Sequence, residues 1–123
     1  MRNMSFSITR DQIYKRKKSV TRRLGWWFLR PGDVVMAVEK AMGLKKGEHM
    51  KKIYPIEIVS VRTERLSDIT QDDLPLEGFP EMTTSEFVEM FCALHKGKGC
   101  TSETLVNRVE FRPVEADFYR VYI

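Results

Sequence analysis

The sequence predicts an α+β fold: a small mixed β-barrel with one or two packed helices. Segments with strand-like alternation outnumber those with helical periodicity. The helices are too few for alternating βαβ units. The chain of 123 residues with 42% hydrophobic content suits one core, which usually takes about 100–150 residues. Closure into a barrel also removes exposed strand edges. We therefore expect a single domain over residues 1–123, with its core at about 4–113 and a C-terminal extension at 114–123.

Met4–Thr9 is the first expected strand, because Phe6 and Ile8 alternate with Ser5, Ser7 and Thr9. Thr9-x-x-Gln12 has the form of a helix cap, starting a short basic helix through about Lys17 with Ile13 as its apolar residue. Ser19–Leu24 alternates as a strand. Trp26 and Phe28, if extended, face one side and Trp27 the other. Leu29-Arg30-Pro31-Gly32-Asp33 is a turn, with Pro presetting φ and Gly supplying the bend. Val34–Val38 follows as an apolar strand, and Gly43–His49 as an exposed loop.

Ile53–Arg65 is a long strand, with Ile56, Ile58 and Ser60 on one side and Glu57, Val59 and Val61 on the other. Pro55 cannot donate to a ladder and marks a bend. Ser67–Pro80, acidic and containing Pro75, Gly78 and Pro80, reads mostly as loop. Thr83-x-x-Glu86 is a capping box, and Phe87, Met90, Phe91 and Leu94 then form an apolar helical stripe ended by Gly97 and Gly99. Leu105–Val114 is the last strong strand, with Leu105, Asn107, Val109 and Phe111 on one face. Residues 115–123 are either a further strand or a tail.

No apolar run approaches the roughly 20 residues of a membrane span, and the N-terminus lacks a signal-peptide core. Two cysteines are too few for a disulfide scaffold, so a reduced, cytoplasmic setting is expected. The net charge of +4 is unevenly spread. Residues 1–30 hold nine basic side chains and one acid, whereas Glu64–Glu89 holds eight acids and only Arg65. Either the basic part meets a polyanion, nucleic acid first, or the two regions pack against each other. The acidic stretch is also a candidate protein-binding surface.

Phosphate-loop, dinucleotide, CxxC and HExxH motifs are absent. Cys92, His95 and Cys100 cluster in sequence, but no fourth ligand joins them, so neither metal nor cofactor is expected. The strongest physical signal is Lys15-Arg16-Lys17-Lys18 followed by Arg22-Arg23, beside Trp26-Trp27-Phe28. Cations next to aromatic rings are what phosphate contact plus base stacking requires. This makes Lys17, Arg22, Arg23, Trp26 and Trp27 candidate nucleic-acid or ligand contacts. Lys18, Thr21 and a carboxylate form a candidate reactive set. A lysine crowded by cations and buried favours its neutral, basic form. Thr21 becomes nucleophilic only if such a base reaches it. Residues three apart on a straight strand face opposite ways, so the set needs Lys18 in the turn entering the strand.

Lys17-Lys18-Ser19-Val20-Thr21-Arg22-Arg23-Leu24-Gly25-Trp26, followed by Leu29-Arg30-Pro31-Gly32-Asp33, resembles the ASCH domain, a relative of the PUA fold. The resemblance runs on through Ala37-Val38-Glu39-Lys40, Glu77-Gly78-Phe79-Pro80, Phe87–Cys92 and Val106–Phe111. Arg-Arg-Leu-Gly-Trp with Glu-Gly-Phe-Pro is similar to ASCH proteins of phages and prophages. The resemblance implies a PUA-like barrel with a cleft for RNA or a nucleoside. Some members hydrolyse the acetyl amide of 4-acetylcytidine, and others are associated with RNA cleavage or RNA binding alone. Carried over, Lys18 is the base, Thr21 the nucleophile, and Glu77 the acid, with Glu81 as its substitute. The chain departs from the pattern in a longer loop around Gly43–Met50.

Overall fold

In the computed structural model, which describes residues 1–41 and 43–114, the chain forms five strands and three short-to-medium α-helices. These are β1 (Asn3–Ser5), α1 (Arg10–Tyr14), β2 (Val20–Arg23), β3 (Val34–Val38), β4 (Lys52–Arg65), α2 (Asp73–Glu77), α3 (Thr84–Leu94) and β5 (Leu105–Pro113). A 3-10 turn, Leu66–Asp68, follows β4. The strands make one mixed sheet in the order β1-β3-β4-β5-β2, with β1 parallel to β3 and the other pairs antiparallel. The α+β class is as expected. The last nine residues lie outside the described part, and with them the expected strand or tail at 115–123.

The expected closed barrel is an open sheet. β1 and β2 are its two edges and share no ladder. The chain bends at Ser7–Thr9 to enter α1, so β1 is only three residues long, and it pairs with β3 alone. A side chain spans the gap instead: Arg23 Nη2 donates to the Ser5 carbonyl at 2.7 Å, and its guanidinium lies 4.8 Å from the Phe6 ring centre. The curled sheet encloses Met4, Phe6, Ile13, Leu29, Val35, Ala37, Ile56, Ile58, Val109 and Phe111. A second cluster, with Leu66, Ile69, Leu74, Phe87, Phe91 and Val106, joins α2 and α3 to the sheet's outer face.

Local departures from the expected elements have identifiable causes. Thr9 makes no side-chain cap, and α1 stops at Tyr14, where the chain turns through Arg16 at φ 58°. A bulge between Ile58 and Ser60 shifts the phase of β4, so Val61 packs on the same core as Ile58 instead of opposite it. Gly25 and Trp26 both have left-handed backbone, at φ 126° and 58°, so Trp26–Phe28 is a turn and not a strand. Asn107 Nδ2 donates to the Trp26 carbonyl at 2.9 Å and holds that turn. The capping box at α3 forms as read, with Thr83 Oγ1 accepting from the Glu86 amide at 3.1 Å and Glu86 Oε1 from the Thr83 amide at 2.9 Å.

The stretch expected to be mostly loop contains α2. It is five residues long and ends in a Schellman motif. The Phe79 amide donates to Leu74 O at 2.8 Å and the Gly78 amide to Pro75 O at 3.1 Å. Gly78 sits at φ 97°, and a Cβ there meets Gln12 Cγ at 3.2 Å and Thr9 Cγ2 at 3.4 Å. Gly78→Ala should therefore lower stability by about 1–2 kcal/mol, from left-handed strain plus crowding. Urea unfolding checks this; an unchanged midpoint would contradict it.

Candidate functional site

Lys18 lies in the irregular link between the turn at Lys15–Arg16 and β2, outside the strand itself. Lys18, Thr21 and Glu77 are 5%, 4% and 2% exposed, respectively. The last-turn carbonyls of α2 lack helical partners, and the segment entering β2 supplies donors. The Ser19 amide donates to Leu76 O at 2.9 Å, and Lys18 Nζ donates to Glu77 O. Lys18 Nζ also reaches the Glu77 carboxylate, 3.2 Å from Oε1.

The other carboxylate oxygen of Glu77 accepts from Arg22 Nη1 at 2.9 Å. Arg22 Nη2 bonds Glu64 Oε1 and Asp73 Oδ2, each at 2.6 Å. Asp73 in turn takes a two-point contact from Arg108, at 3.0 and 3.1 Å. Arg62 Nε, at the exposed end, contacts Glu64 Oε2 at 3.1 Å. The register explains the need for so many carboxylates. Arg22 faces Arg108 across β2 and β5, and Arg62 faces Arg108 across β4 and β5. Like charges directly opposite repel. Asp73 and Glu77, four apart on α2, and Glu64 on β4 interleave with the arginines. Arg22 Nε is the one buried side-chain nitrogen or oxygen without a hydrogen-bond partner among the described residues.

These surroundings set the ionisation. Burial pulls Lys18 below the ordinary lysine value, with Glu77 opposing it. Burial lowers the Arg23 guanidinium to about 10. Burial also pulls on Arg22, but the hydrogen bonds it donates to Asp73, Glu77 and Glu64 hold it above its ordinary value. The hydrogen bonds from Arg108 and Arg22 lower Asp73 to about 2, against the effect of burial.

Lys18, Thr21, Arg22, Arg23 and Glu77 line one cleft of about 270 Å³ at the mouth of the curled sheet. Thr21 Oγ1 accepts from Arg23 Nε at 2.9 Å. The facing wall is Phe79, Phe87, Met90, Phe91, Leu94 and His95. Its rings run in series, with centres 5.9 Å apart for Phe79 and Phe87, 6.1 Å for Phe87 and Phe91, and 4.3 Å for Phe91 and His95. Lys18 Nζ lies 5.9 Å from the Phe79 ring centre.

The other candidates lie elsewhere. Glu81 is exposed and outside the cleft, so Glu77 is the carboxylate that meets Lys18. Lys17 is exposed, in a separate depression with Lys15 and Asp11. Trp26 packs partly on the core, and Trp27 is 54% exposed; neither reaches the cleft. Sequence reasoning missed Phe79 and His95 as wall residues. It also missed Asp73 and Glu64 as the supports of Arg22, and Arg108 as the second cation on Asp73. The acidic stretch and the basic strand do pack together there, as one of the two charge readings proposed. Among the described residues no group of three or more His, Cys, Asp or Glu is arranged to hold a metal ion, and no helix is long and apolar enough to cross a membrane.

Three solved structures share this fold. An ASCH domain from Lactobacillus crispatus JV V101 aligns at TM-score 0.62 and 18% identity, over 91% of this chain and 79% of that one. Hypothetical protein PH0355 aligns at 0.64 and 14%, over 91% and 97%. Protein EF3133 from Enterococcus faecalis V583 aligns at 0.60 and 11%, over 85% and 68%. No family model and no curated protein matches the sequence. The architecture is thus that of the ASCH-domain structure, shared at the level of fold.

The ion-pair chain has a pH signature. Asp73 ionises more readily folded than unfolded, so it adds stability above about pH 3.8 that is lost as pH falls toward 2. Acid titration of unfolding should show wild type losing about 1–2 kcal/mol more than Asp73→Asn across that window, allowing for solvent screening. Parallel curves for the two proteins would contradict the assignment.

Proposed function

We propose that this chain is an ASCH-type domain that binds a nucleoside, free or as one residue of an RNA strand, in the cleft of Lys18, Thr21, Arg23 and Glu77. One observation carries the reading: a polar, charged floor faces a wall of aromatic rings across a single small hollow. A nucleobase has the matching chemistry, with a π face for the wall and a polar edge for hydrogen bonding. The volume, near the low end of the roughly 300–1,000 Å³ of small-molecule pockets, favours one base-sized group. The exposed Lys15-Arg16-Lys17 run beside α1 supplies a phosphate-attracting flank.

A second reading is amide hydrolysis of 4-acetylcytidine, and a specific placement favours it: the buried residues Lys18, Thr21 and Glu77 line one cleft. In that chemistry Thr21 Oγ attacks the acetyl carbonyl and Lys18 accepts its proton. The amide C–N bond breaks as the Glu77 carboxyl gives its proton to the departing amine; water then hydrolyses the acetyl–Thr21 ester to acetic acid, and the proton on Lys18 returns to Glu77, 3.2 Å away. The lowered affinity of buried Lys18 for its proton suits a base. Thr21 is hydrogen-bonded to Arg23 and not to Lys18, which is why binding ranks first. RNA cleavage is a further reading of the same cleft.

Titration with cytidine, 4-acetylcytidine and a short single-stranded RNA, followed by amide NMR, tests the proposal. Signals of Thr21, Phe79 and Phe91 should shift together, RNA binding should weaken as salt rises, and Lys18→Ala should weaken nucleoside binding about tenfold or more. Millimolar ligand that leaves those signals in place, or a Lys18→Ala variant that binds equally well, would overturn it. Absorbance of 4-acetylcytidine over the same titration separates the readings. Loss of the acetyl group, abolished in Thr21→Val, identifies the hydrolase.

A further inference from the structure

Cys92 lies in the last turn of α3, and Cys100 follows a hairpin of chain through Gly97 and Gly99, whose φ angles are 94° and 65°. That reversal brings two half-buried free thiols, eight residues apart, to an Sγ–Sγ distance of 2.7 Å. A disulfide bond measures about 2.03–2.05 Å, so little movement separates the pair from bonding. The same turn of α3 carries Phe91, Leu94 and His95 into the cleft wall. His95 is held there by its Nδ1 contact with Phe91 O at 2.8 Å and by its ring against Phe91.

We propose that Cys92 and Cys100 form a reversible intramolecular disulfide that fixes the α3 wall of the cleft. The inference stands on the geometry of the pair and holds whatever the cleft binds. The oxidant is a small-molecule disulfide such as oxidised glutathione. Burial and the hydrogen bond with Cys100 push the Cys92 thiol up to about 11, so Cys100 makes the first attack. Its thiolate attacks one glutathione sulfur. A mixed disulfide forms and one glutathione thiolate leaves. The Cys92 sulfur then attacks Cys100 Sγ, forming the internal bond and releasing the second glutathione, which takes the Cys92 proton. Two protein thiols are oxidised, and one glutathione disulfide is reduced to two thiols. In a reducing compartment such an accessible pair works as a redox-responsive site and not as a permanent staple.

The full chain, equilibrated in glutathione buffers of graded ratio and then acid-quenched and alkylated, tests this by intact mass and peptide mapping. The expected result is one monomeric oxidised form about 2 Da lighter than the dithiol, with a Cys92–Cys100 cross-link. Cys92→Ser should instead collect one glutathione on Cys100. Persistence of two alkylated thiols through the series, stable glutathione adducts on the wild-type chain, or disulfide-linked dimers would overturn the proposal. Hydrogen exchange reads the effect on the wall. Amides of residues 92–100 should exchange about tenfold more slowly in the oxidised form, with β3 and β4 unchanged. Equal exchange in both forms would refute the fixing of the wall.

Discussion

The buried guanidinium of Arg22, clasped by Glu64, Asp73 and Glu77, is the interaction on which the rest of this structure depends. It joins β2 to β4 and to α2. α2 has only five residues, too few to persist on helical propensity alone. Its position is set by ion pairs on its buried side, by Ser19 and Lys18 at its last-turn carbonyls, and by Leu74 in the second core. Taking these charges out of water is costly, and their mutual attraction offsets the cost only when every partner is present. The cluster ties α2, β2 and β4 to one another through a single guanidinium.

That arrangement is what shapes the cleft. Arg22 occupies one oxygen of Glu77 and leaves the other turned to Lys18. Alternation along β2 sends Thr21 and Arg23 to the opposite face from Arg22, toward the interior of the curled sheet. Arg23 then does two things, bridging the sheet's open edges through Ser5 and holding the Thr21 hydroxyl. Structural closure and the cleft's polar floor are thus the same set of contacts. α3 contributes the apolar side, and its capping box fixes where its first turn begins.

How much of this was legible in the sequence depended on the range of the forces involved. The α3 cap, the Pro31-Gly32 turn, the apolar strand β3 and the buried Val109 and Phe111 of β5 are written in local residues and formed as read. Leu94 and Leu105, read on the same apolar faces, are exposed, and Val106 is buried on the other side of β5. Lys18 and Thr21 were read from the basic run and its reactive chemistry, Glu77 from the resemblance, and all three line one cleft. α2 was hidden because an acidic, proline-containing stretch looks like loop until Arg22 and Arg108 are set against it. The β4 bulge and the left-handed Trp26 leave no periodic signal, so period-two reasoning carried Val61 and the Trp26–Phe28 segment to the wrong sides. Phe87 and Phe91 were legible as core. Nothing in a 3.6-residue period says that the same rings also border a hollow.

A double-mutant cycle on Lys18→Met and Glu77→Gln, read by urea unfolding, addresses the organising role of this buried charge chain most directly. Each single change strands the remaining partner in a dry site, while the paired change removes both. The double variant should be more stable than the two single losses summed, by at least about 1 kcal/mol of coupling. Additivity within about 0.3–0.5 kcal/mol would mean that Lys18 and Glu77 do not sense each other, and would contradict it.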